Sequence, residues 1–220
     1  MAELSVDGQL LRLIPIDGAQ DPEGITHVTG TTFVIADEGT QRLNWVEIGA
    51  GTTALALAGT PHLTLDFGNF ANMGFEGVTW DERTGRLLVA QEMWPIRVLI
   101  IEGLAEALSG QGFAVRVQEW APRAGGGHFA ADLSSLSVHD ATGNLLLLSH
   151  LTSALLEFAP DGSVVSLLPL WAGHAGLAQT VPQAEGLATA PSGEIFLVSE
   201  PNLFYRLARE TPPVWAKAQP

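Results

Sequence analysis

The chain has 220 residues, of which 46% are hydrophobic and only 15% are charged, a composition that supports a substantial core and argues against disorder. Its 24 acidic and 10 basic side chains give a formal net charge of −14, so the surface repels phosphate backbones, and we exclude nucleic acid as a partner. Cysteine is absent, which rules out disulfides, thiolate catalysis and cysteine-ligated zinc together.

Neither membrane insertion nor export is indicated by these residues. No apolar run reaches the ~18 residues of a membrane-spanning helix, so we expect no membrane-spanning segment in this chain. Residues 1–4 do not have the pattern of a signal peptide, so any export signal would lie outside this sequence. The acidic surface instead favours cations as partners.

The chain contains a repeat of roughly 50 residues, and residues 3–16, which come first, match the last two strands of one repeat unit. We therefore assign residues 1–20 to the outer strands of a partial unit whose first two strands are missing. Two explanations stay open. Either residues 213–216 help to close the structure, or the chain starts late in a longer sequence, which is the explanation that we favour.

Four related segments follow, and they begin near residues 23, 76, 134 and 185. Three of them begin with a Glu-Gly pair, whereas the third has Ser134 and Ser135 there. A spacing of roughly 50 residues is typical of repeat architectures. Each segment also has a turn that contains glycine, and these glycines are Gly30, Gly85, Gly143 and Gly193.

Each segment contains apolar runs of about 4–8 residues that are bounded by Gly, Pro, Asp or Asn, a pattern that predicts β-strands. Four antiparallel strands per repeat, arranged radially, form a β-propeller. We therefore predict an all-β protein with a single domain over residues 1–220, a propeller of four-stranded antiparallel blades that has five blades, the first incomplete. A two-sheet sandwich is the alternative, but it does not explain the regular spacing.

Acidic residues recur at two positions of the repeat, at the start of the first strand and after the end of the second. In a propeller the first strand of each blade lines the central channel, and the second strand returns antiparallel to it. The two positions are therefore neighbours. The predicted pairs are Glu23 with Glu38, Glu76 with Glu92, and Glu185 with Glu200.

The third repeat has Ser134 and His150 at these two positions. Asp132 lies two residues before Ser134, so its side chain points to the same side if the strand extends that far. We select His150 as the candidate catalytic residue, because an imidazole can act as a general base or bind a metal ion. The alternative is that His150 only hydrogen-bonds a neighbour.

Several carboxylates thus converge at one end of the channel. Two like charges ~4 Å apart repel by about 4 kcal/mol at an effective dielectric constant near 20, so such a cluster must protonate, spread apart or bind a cation. Calcium takes about 6–8 oxygen ligands in flexible geometry, so we predict Ca²⁺. The alternative is that each Glu caps backbone N–H groups and binds no ion. The predicted ligands are Glu23, Glu38, Glu76, Glu92, Asp132, Glu185 and Glu200.

Six stretches of the chain resemble the bacterial SdiA-regulated family, the YjiK-like proteins. They are residues 21–25 (DPEGI), 33–38 (FVIADE), 74–77 (GFEG), 147–150 (LLSH), 182–186 (PQAEG) and 198–206 (VSEPNLFYR). The resemblance covers residues 10–207. It implies a five-bladed propeller with a calcium site and a periplasmic or extracellular location. It also implies an additional first half-blade, preceded by a membrane or export segment, neither of which is found in these residues.

Two functions are consistent with the predicted propeller and its acidic site. In the first, a calcium-stabilised propeller binds a small molecule or a protein at its acidic channel end. In the second, the protein is a calcium-dependent hydrolase of esters, lactones or phosphate esters, in which the ion polarises the scissile bond and His150 or a glutamate acts as the base. The fold does not decide between them, because propellers serve both functions. We favour binding, because the site offers one histidine and no evident nucleophile–base pair for catalysis.

Overall fold

A computed structural model describes residues 1–66, 74–92, 95–112, 114–123 and 130–208. The fold is a β-propeller, as predicted, built almost entirely from antiparallel sheets. Residues 213–216, which we considered for ring closure, lie outside the described part of the chain. No helix among the described residues is long and apolar enough to cross a membrane.

The N-terminal segment forms a two-stranded sheet of its own and one further short strand. Its elements are β1 (Ala2–Leu4), β2 (Leu10–Leu13) and β3 (Ile16–Asp17). Blade 1 is a four-stranded sheet. Between its third and fourth strands the chain forms one more short strand, which lies outside this sheet and pairs in parallel with β3. The strands of this region are β4 (Pro22–Thr29), β5 (Thr32–Asp37), β6 (Arg42–Glu47), β7 (Leu55–Ala56) and β8 (His62–Thr64).

Blades 2 and 3 are complete four-stranded antiparallel sheets. Blade 2 consists of β9 (Phe75–Asp81), β10 (Arg86–Gln91), β11 (Arg97–Glu102), the helix α1 (Leu104–Leu108) and β12 (Arg116–Trp120). Blade 3 consists of β13 (Ser135–Val138), β14 (Leu145–Ser149), β15 (Ala154–Phe158) and β16 (Val164–Pro169).

Blade 4 has three strands in the described part of the chain. They are β17 (Gln183–Thr189), β18 (Ile195–Glu200) and β19 (Leu203–Leu207). The four turns between first and second strands each place the expected glycine at positive φ, a conformation that residues with a Cβ seldom adopt. The φ values are 57° at Gly30, 66° at Gly85, 71° at Gly143 and 85° at Gly193.

The core lies between blades rather than within them, because each sheet buries one apolar face against its neighbour. Val34 of blade 1 packs with Phe75 and Leu87 of blade 2. Leu88 of blade 2 packs in a second cluster with Phe158 of blade 3. A third cluster joins blades 3 and 4 through residues that include Leu146, Leu148, Ala184 and Leu197. Burial of each large apolar side chain contributes about 1.5–3 kcal/mol.

The innermost strands are linked around the channel by hydrogen bonds and by close backbone contact. A Cβ added at Gly77 would lie 3.0 Å from the Cα atom of Ser135 and 3.1 Å from the amide nitrogen of Leu136, so glycine after the motif glutamate lets two strands approach closely. The hydrogen bonds run from Trp80 N–H to Thr26 Oγ1 (3.0 Å), from Val138 N–H to Thr79 Oγ1 (3.3 Å) and between the hydroxyls of Ser137 and Thr189 (3.3 Å).

The N-terminal segment bridges the outer parts of blades 4 and 1. Ile14 is buried against blade 1 in a cluster with Val46 and Leu55. At the other side, Asp7 Oδ1 accepts a hydrogen bond from Arg206 Nη1 of β19 at 2.8 Å. Four blades and this separate hairpin are therefore described. The assignment of residues 1–20 to a partial fifth blade stays a prediction.

Candidate metal centre

Three β-bulges place the motif glutamates at one end of the channel. In the β4–β5 pairing, Pro22 lies opposite Asp37 and Gly24 opposite Ala36, which leaves Glu23 without a partner residue. The same register shift leaves out Glu76 in β9 and Glu185 in β17. Since a bulge locally turns the strand and redirects the side chain of the extra residue, the repeated glutamate leaves the strand in the same way in three blades.

The two polar residues that end each second strand differ in burial and in their hydrogen bonds, as blade 1 shows. The first residue, Asp37, is fully buried and accepts hydrogen bonds from the backbone N–H of Asp21 at 2.7 Å and from Thr40 Oγ1 at 2.6 Å. It thereby fixes the chain that leads into β4. The second residue, Glu38, accepts a hydrogen bond from Gly74 N–H of blade 2 at 2.7 Å.

Glu76 lies among the other carboxylates of this end of the channel. Burial, and after it the negative charges of four neighbours, together raise the pKa of Glu76 to about 9. In decreasing order of effect, these neighbours are Glu23, Glu92, Glu38 and Glu185. At neutral pH a cation-free Glu76 therefore holds a proton, and a bound cation would displace it.

A first group of possible ligands lies within blade 1. Asp21, Glu23 and Glu38 each offer an oxygen atom within 4.8 Å of the other two. Burial, the hydrogen bond with Asp21 and the charges of Asp21, Glu38 and Glu185 together raise the pKa of Glu23 to about 7, and burial has the largest effect. The crowded carboxylates thus resist ionisation in the absence of a positive charge.

A second group joins blades 2 and 3. Glu92, Asp132 and His150 also offer ligand atoms within 4.8 Å of one another. The amide nitrogen of Leu133 and the carbonyl oxygen of Glu92 are 3.3 Å apart and form a backbone hydrogen bond, which holds the two blades in register here. Burial raises the pKa of Glu92, the charge of Asp132 raises it further, and His150 opposes the rise.

Asp132 is held rigidly but keeps one oxygen unsatisfied. Its side chain is fully buried, and its Oδ1 accepts hydrogen bonds from Ser149 Oγ and from Leu151 N–H, the latter at 3.2 Å. Its Oδ2 lies 2.8 Å from His150 Nδ1. The contact lacks hydrogen-bond geometry, so that within the described residues neither buried atom has a hydrogen-bond partner. Asp132 Oδ2 and His150 Nδ1 thus lie side by side in a group of side chains that could hold a metal ion.

A family model for SdiA-regulated proteins matches residues 1–208 of the chain. The chain belongs to the SdiA-regulated family. This agrees with the resemblance found in the sequence.

Solved structures similar to this SdiA-regulated chain include a protein of unknown function from Bacteroides caccae, with 14% identity and a TM-score of 0.47. The similarity covers 94% of this chain and 68% of that one. Another is a catalytically inactive virginiamycin B lyase from Staphylococcus aureus with quinupristin, with 12% identity and a TM-score of 0.48. It covers 95% of this chain, which spans 62% of the lyase.

The structure of this SdiA-regulated chain brings together most of the predicted site. We call the following residues the acidic cluster: Glu23, Glu38, Glu76, Glu92, Asp132 and Glu185. His150 adjoins it, since its Nδ1 lies 3.9 Å from Glu185 Oε1. Glu200 differs: it is exposed and lies opposite Gln183 in the strand register, and no described interaction connects it to the cluster.

The sequence-based ligand set omits Asp21, which the structure places beside Glu23 and Glu38. The sequence feature that pointed to Asp21 was its position two residues before Glu23, because Asp132 has the same position relative to Ser134. Ser134 itself takes no part in the cluster, because it is buried and donates a hydrogen bond to the carbonyl oxygen of Ala184 at 2.7 Å. The metal-binding role of every residue named here stays a prediction.

Proposed function

We propose that this member of the SdiA-regulated family is a calcium-binding β-propeller that binds a small molecule or a protein at the acidic end of its channel. The observation that carries the proposal is the pair of buried, unpartnered atoms, Asp132 Oδ2 and His150 Nδ1, next to Glu92. A buried polar atom without a hydrogen bond is costly, and a cation bound between these groups would remove the cost.

The residues present fit a divalent ion. Carboxylate oxygens of Glu92 and Asp132 lie within 4.8 Å of each other, a distance that one Ca²⁺ with oxygen ligands about 2.4 Å away can bridge. Carboxylates from different blades suit calcium better than magnesium, because calcium tolerates irregular geometry. Glu92 and Asp132 would hold the ion, with Glu76 and Glu185 completing its oxygen ligands. When bound, calcium would supply a positive charge that attracts oxygen atoms of an incoming ligand.

Calorimetry and thermal melting test the calcium proposal. We expect Ca²⁺ to raise the Tm relative to chelator and to give saturable binding heat, both of which are lost in Asp132→Asn. Glu82→Gln is the matched control, because Glu82 is exposed on the turn between β9 and β10, at the opposite end of β9 from Glu76, and this variant keeps the calcium response. A Tm and a binding isotherm that do not respond to millimolar Ca²⁺ would disprove the proposal.

Ligand binding at this end of the channel should depend on the ion, so it is compared in Ca²⁺ and in chelator. A ligand that uses the bound ion should protect the acidic cluster from carboxylate-modifying reagents only when Ca²⁺ is present. Glu82, which is exposed on the turn between β9 and β10, serves as the unprotected control. Protection that is equal in chelator would contradict ion-mediated binding.

One observation favours hydrolysis as a second candidate function. His150 Nδ1 lies 2.8 Å from Asp132, a buried carboxylate that is itself fixed by Ser149 and Leu151. This carboxylate would orient the imidazole as a general base once substrate binding aligns the contact into a hydrogen bond. Esters, lactones and phosphate esters assayed with Ca²⁺ and with chelator test it. We expect chelator-sensitive turnover that His150→Ala abolishes and that the control His139→Ala, on the turn at the opposite end of β13, retains; a lack of turnover on all three substrate classes would exclude the hydrolase.

A further inference from the structure

Exposed apolar side chains surround the end of the channel that carries the acidic cluster. In each blade the turn between the second and third strands lies at this end, because the second strand returns antiparallel to the first. Three of these turns carry an exposed apolar residue in or beside them: Ile96 in blade 2, Leu151 in blade 3 and Leu203 in blade 4. The loop between β16 and β17 adds Trp171, which is 48% exposed. We call these four residues the apolar rim.

Backbone hydrogen bonds connect the apolar rim to the acidic cluster. The N–H group of Leu151 donates to Asp132 Oδ1 at 3.2 Å. In the same turn of blade 3, the carbonyl oxygen of Ser153 accepts a hydrogen bond from the N–H group of Leu170 at 2.8 Å, which places the following residue, Trp171, at this end as well. The apolar rim and the acidic cluster therefore belong to one surface.

Trp171 is held in place by a closed loop. At the base of this loop, the N–H group of Val181 donates to the carbonyl oxygen of Leu170 at 2.9 Å. Leu177 anchors the loop in the core cluster between blades 3 and 4. The rings of Trp171 and His174 meet edge to face, with their centroids 5.7 Å apart. A side chain that is already held in place loses little freedom on binding, and tryptophan is enriched where protein interfaces gain most of their affinity.

The turns at the opposite end of the propeller are polar. They connect the first and second strands and comprise residues 30–31, 82–85, 139–144 and 190–194. None of the exposed large apolar side chains in the described part of the chain lies in these turns. Glu82, Arg83 and Asp140 are exposed there instead. The apolar rim is therefore a property of the acidic end, and exposed apolar groups gathered beside a site indicate a surface that contacts a partner.

The charge of the acidic end decides the charge of that partner. The six carboxyl groups of the acidic cluster outnumber the two positive charges of one calcium ion, so this end stays negative when the ion is bound. Glu23 and Glu38 are not among the ligands proposed above for the ion, and they remain available to a second positive group. The net charge of −14 on the whole chain also favours a basic partner.

We propose that the apolar rim and the acidic cluster form a docking surface for a protein segment in which a lysine or arginine is flanked by apolar residues. The cationic side chain would enter the channel end, and its apolar neighbours would pack on the rim. The proposal rests on the proposed function, since it names the partner of the acidic end. Leu151, Trp171 and Leu203 do not line the cavity that Glu23 and Glu185 line, so they form a surface around it, which suits a protein better than a small molecule.

Three short peptides with a neutral fluorophore test the chemistry of the partner. The first is Gly-Leu-Leu-Lys-Leu-Leu-Gly, the second has serine in place of its leucines, and the third has glutamate in place of its lysine. Fluorescence anisotropy measures their binding to the 220-residue protein in Ca²⁺ and in chelator. We expect the lysine–leucine peptide to bind saturably in both conditions, and more tightly than either of the others by a factor of about ten or more.

Two leucines at opposite ends of the propeller show where the peptide binds. Leu151→Ser removes an apolar contact of the rim and should weaken binding of the lysine–leucine peptide about tenfold. Leu108→Ser is the matched control, because Leu108 is 43% exposed in α1, which follows the end of β11 that lies away from the acidic cluster. This variant should leave binding unchanged. Both leucines are exposed, so both variants should keep the circular dichroism spectrum and the Tm of the free protein.

Four results would overturn the proposal. The lysine–leucine peptide does not bind, or the serine or glutamate peptide binds equally well, which would mean that the surface does not select a basic and apolar segment. Leu151→Ser and Leu108→Ser have equal effects, which would place the peptide elsewhere. The protein floats with phosphatidylcholine vesicles and Leu151→Ser abolishes this, which would assign the rim to a membrane. A Tm that ignores Ca²⁺ while the peptide still binds at the rim would instead disprove the calcium site alone.

Discussion

Replacing Glu76 by glutamine tests whether a cation and a proton compete for the acidic cluster. Glu76 leaves β9 at a bulge, and its charge is opposed first by burial and then by four neighbouring carboxylates. The cation-free protein therefore keeps a proton on Glu76 at neutral pH. If a divalent ion binds here, it must displace that proton, so cation binding should be accompanied by measurable proton release.

The size of the release follows from the two pKa values of the cluster that lie near or above neutrality. With a pKa of about 9, Glu76 holds about 1.0 proton at pH 7, and Glu23, with a pKa of about 7, holds about 0.5. Ionisation of both on cation binding releases about 1.5 protons at pH 7 and about 1.0 at pH 8. The calcium affinity should therefore rise between tenfold and about thirtyfold from pH 7 to pH 8.

Isothermal titration calorimetry in two buffers of different ionisation enthalpy measures the proton number directly. For Glu76→Gln we expect the release at pH 7 to fall from about 1.5 to about 0.5 protons, because only Glu23 then contributes. Glu82→Gln is the control, since Glu82 belongs to the same blade but lies on the exposed turn after β9, and this variant should release as many protons as the wild type.

Two results would refute the reasoning. Calcium binding without proton release would mean that the ion binds away from Glu76. Proton release that Glu76→Gln leaves unchanged would mean that other groups supply the protons, and that the convergence of charges on Glu76 does not control the site.

Three further predictions concern stability. In chelator, the native pKa of Glu76 lies above its ordinary value of 4.5, so the folded state binds more protons than the unfolded state between these values. The contribution of Glu76 to stability should therefore be complete below pH 4.5 and be lost as the pH rises towards 9, and urea unfolding of Glu76→Gln should show a smaller fall over this range; an equal fall would contradict this assignment. Gly77→Ala should cost about 1–3 kcal/mol in the same assay, because the new Cβ meets backbone of blade 3, whereas Gly49→Ala, whose Cβ would make an ordinary 3.6 Å contact with Thr31, should cost far less. Phe158→Ala should cost about 3–5 kcal/mol, because Phe158 is fully buried between blades 2 and 3, and a loss below 1 kcal/mol would show that this core repacks.

Local sequence signals were sufficient for the strands and their turns. The apolar runs from Phe33, from Leu87 and from Ile195 all lie in second strands, and the turn glycines adopt the positive φ that their spacing indicated. These signals are reliable because strand formation and tight turns depend on residues close together in the chain. The repeated motif then gave the propeller, since copies with equal spacing fold into equal units.

The partners within the candidate site depended on strand register. Glu23 and Glu38 lie together as expected, and Glu92 lies with Asp132 of the next blade. Glu185 and Glu200 have the same register as Glu23 and Glu38, since Gln183 lies opposite Glu200 as Asp21 lies opposite Glu38. Glu200 is exposed, however, and no described interaction joins it to Glu185, so this pair stays a prediction. A bulge shifts every later pairing by one residue, and nothing in a single strand reveals where its partner will cause one.

The sequence by itself therefore determined the repeat, the strands, the acidic positions and the family. Only the tertiary structure decided that Asp132 keeps an unsatisfied oxygen next to His150, and that Leu151 and Trp171 are exposed at the same end of the propeller. The reason is physical. Local conformation follows from neighbours in sequence, whereas the direction of a side chain from a bulge and the closure of a ring are set by contacts between blades that lie about 50 residues apart.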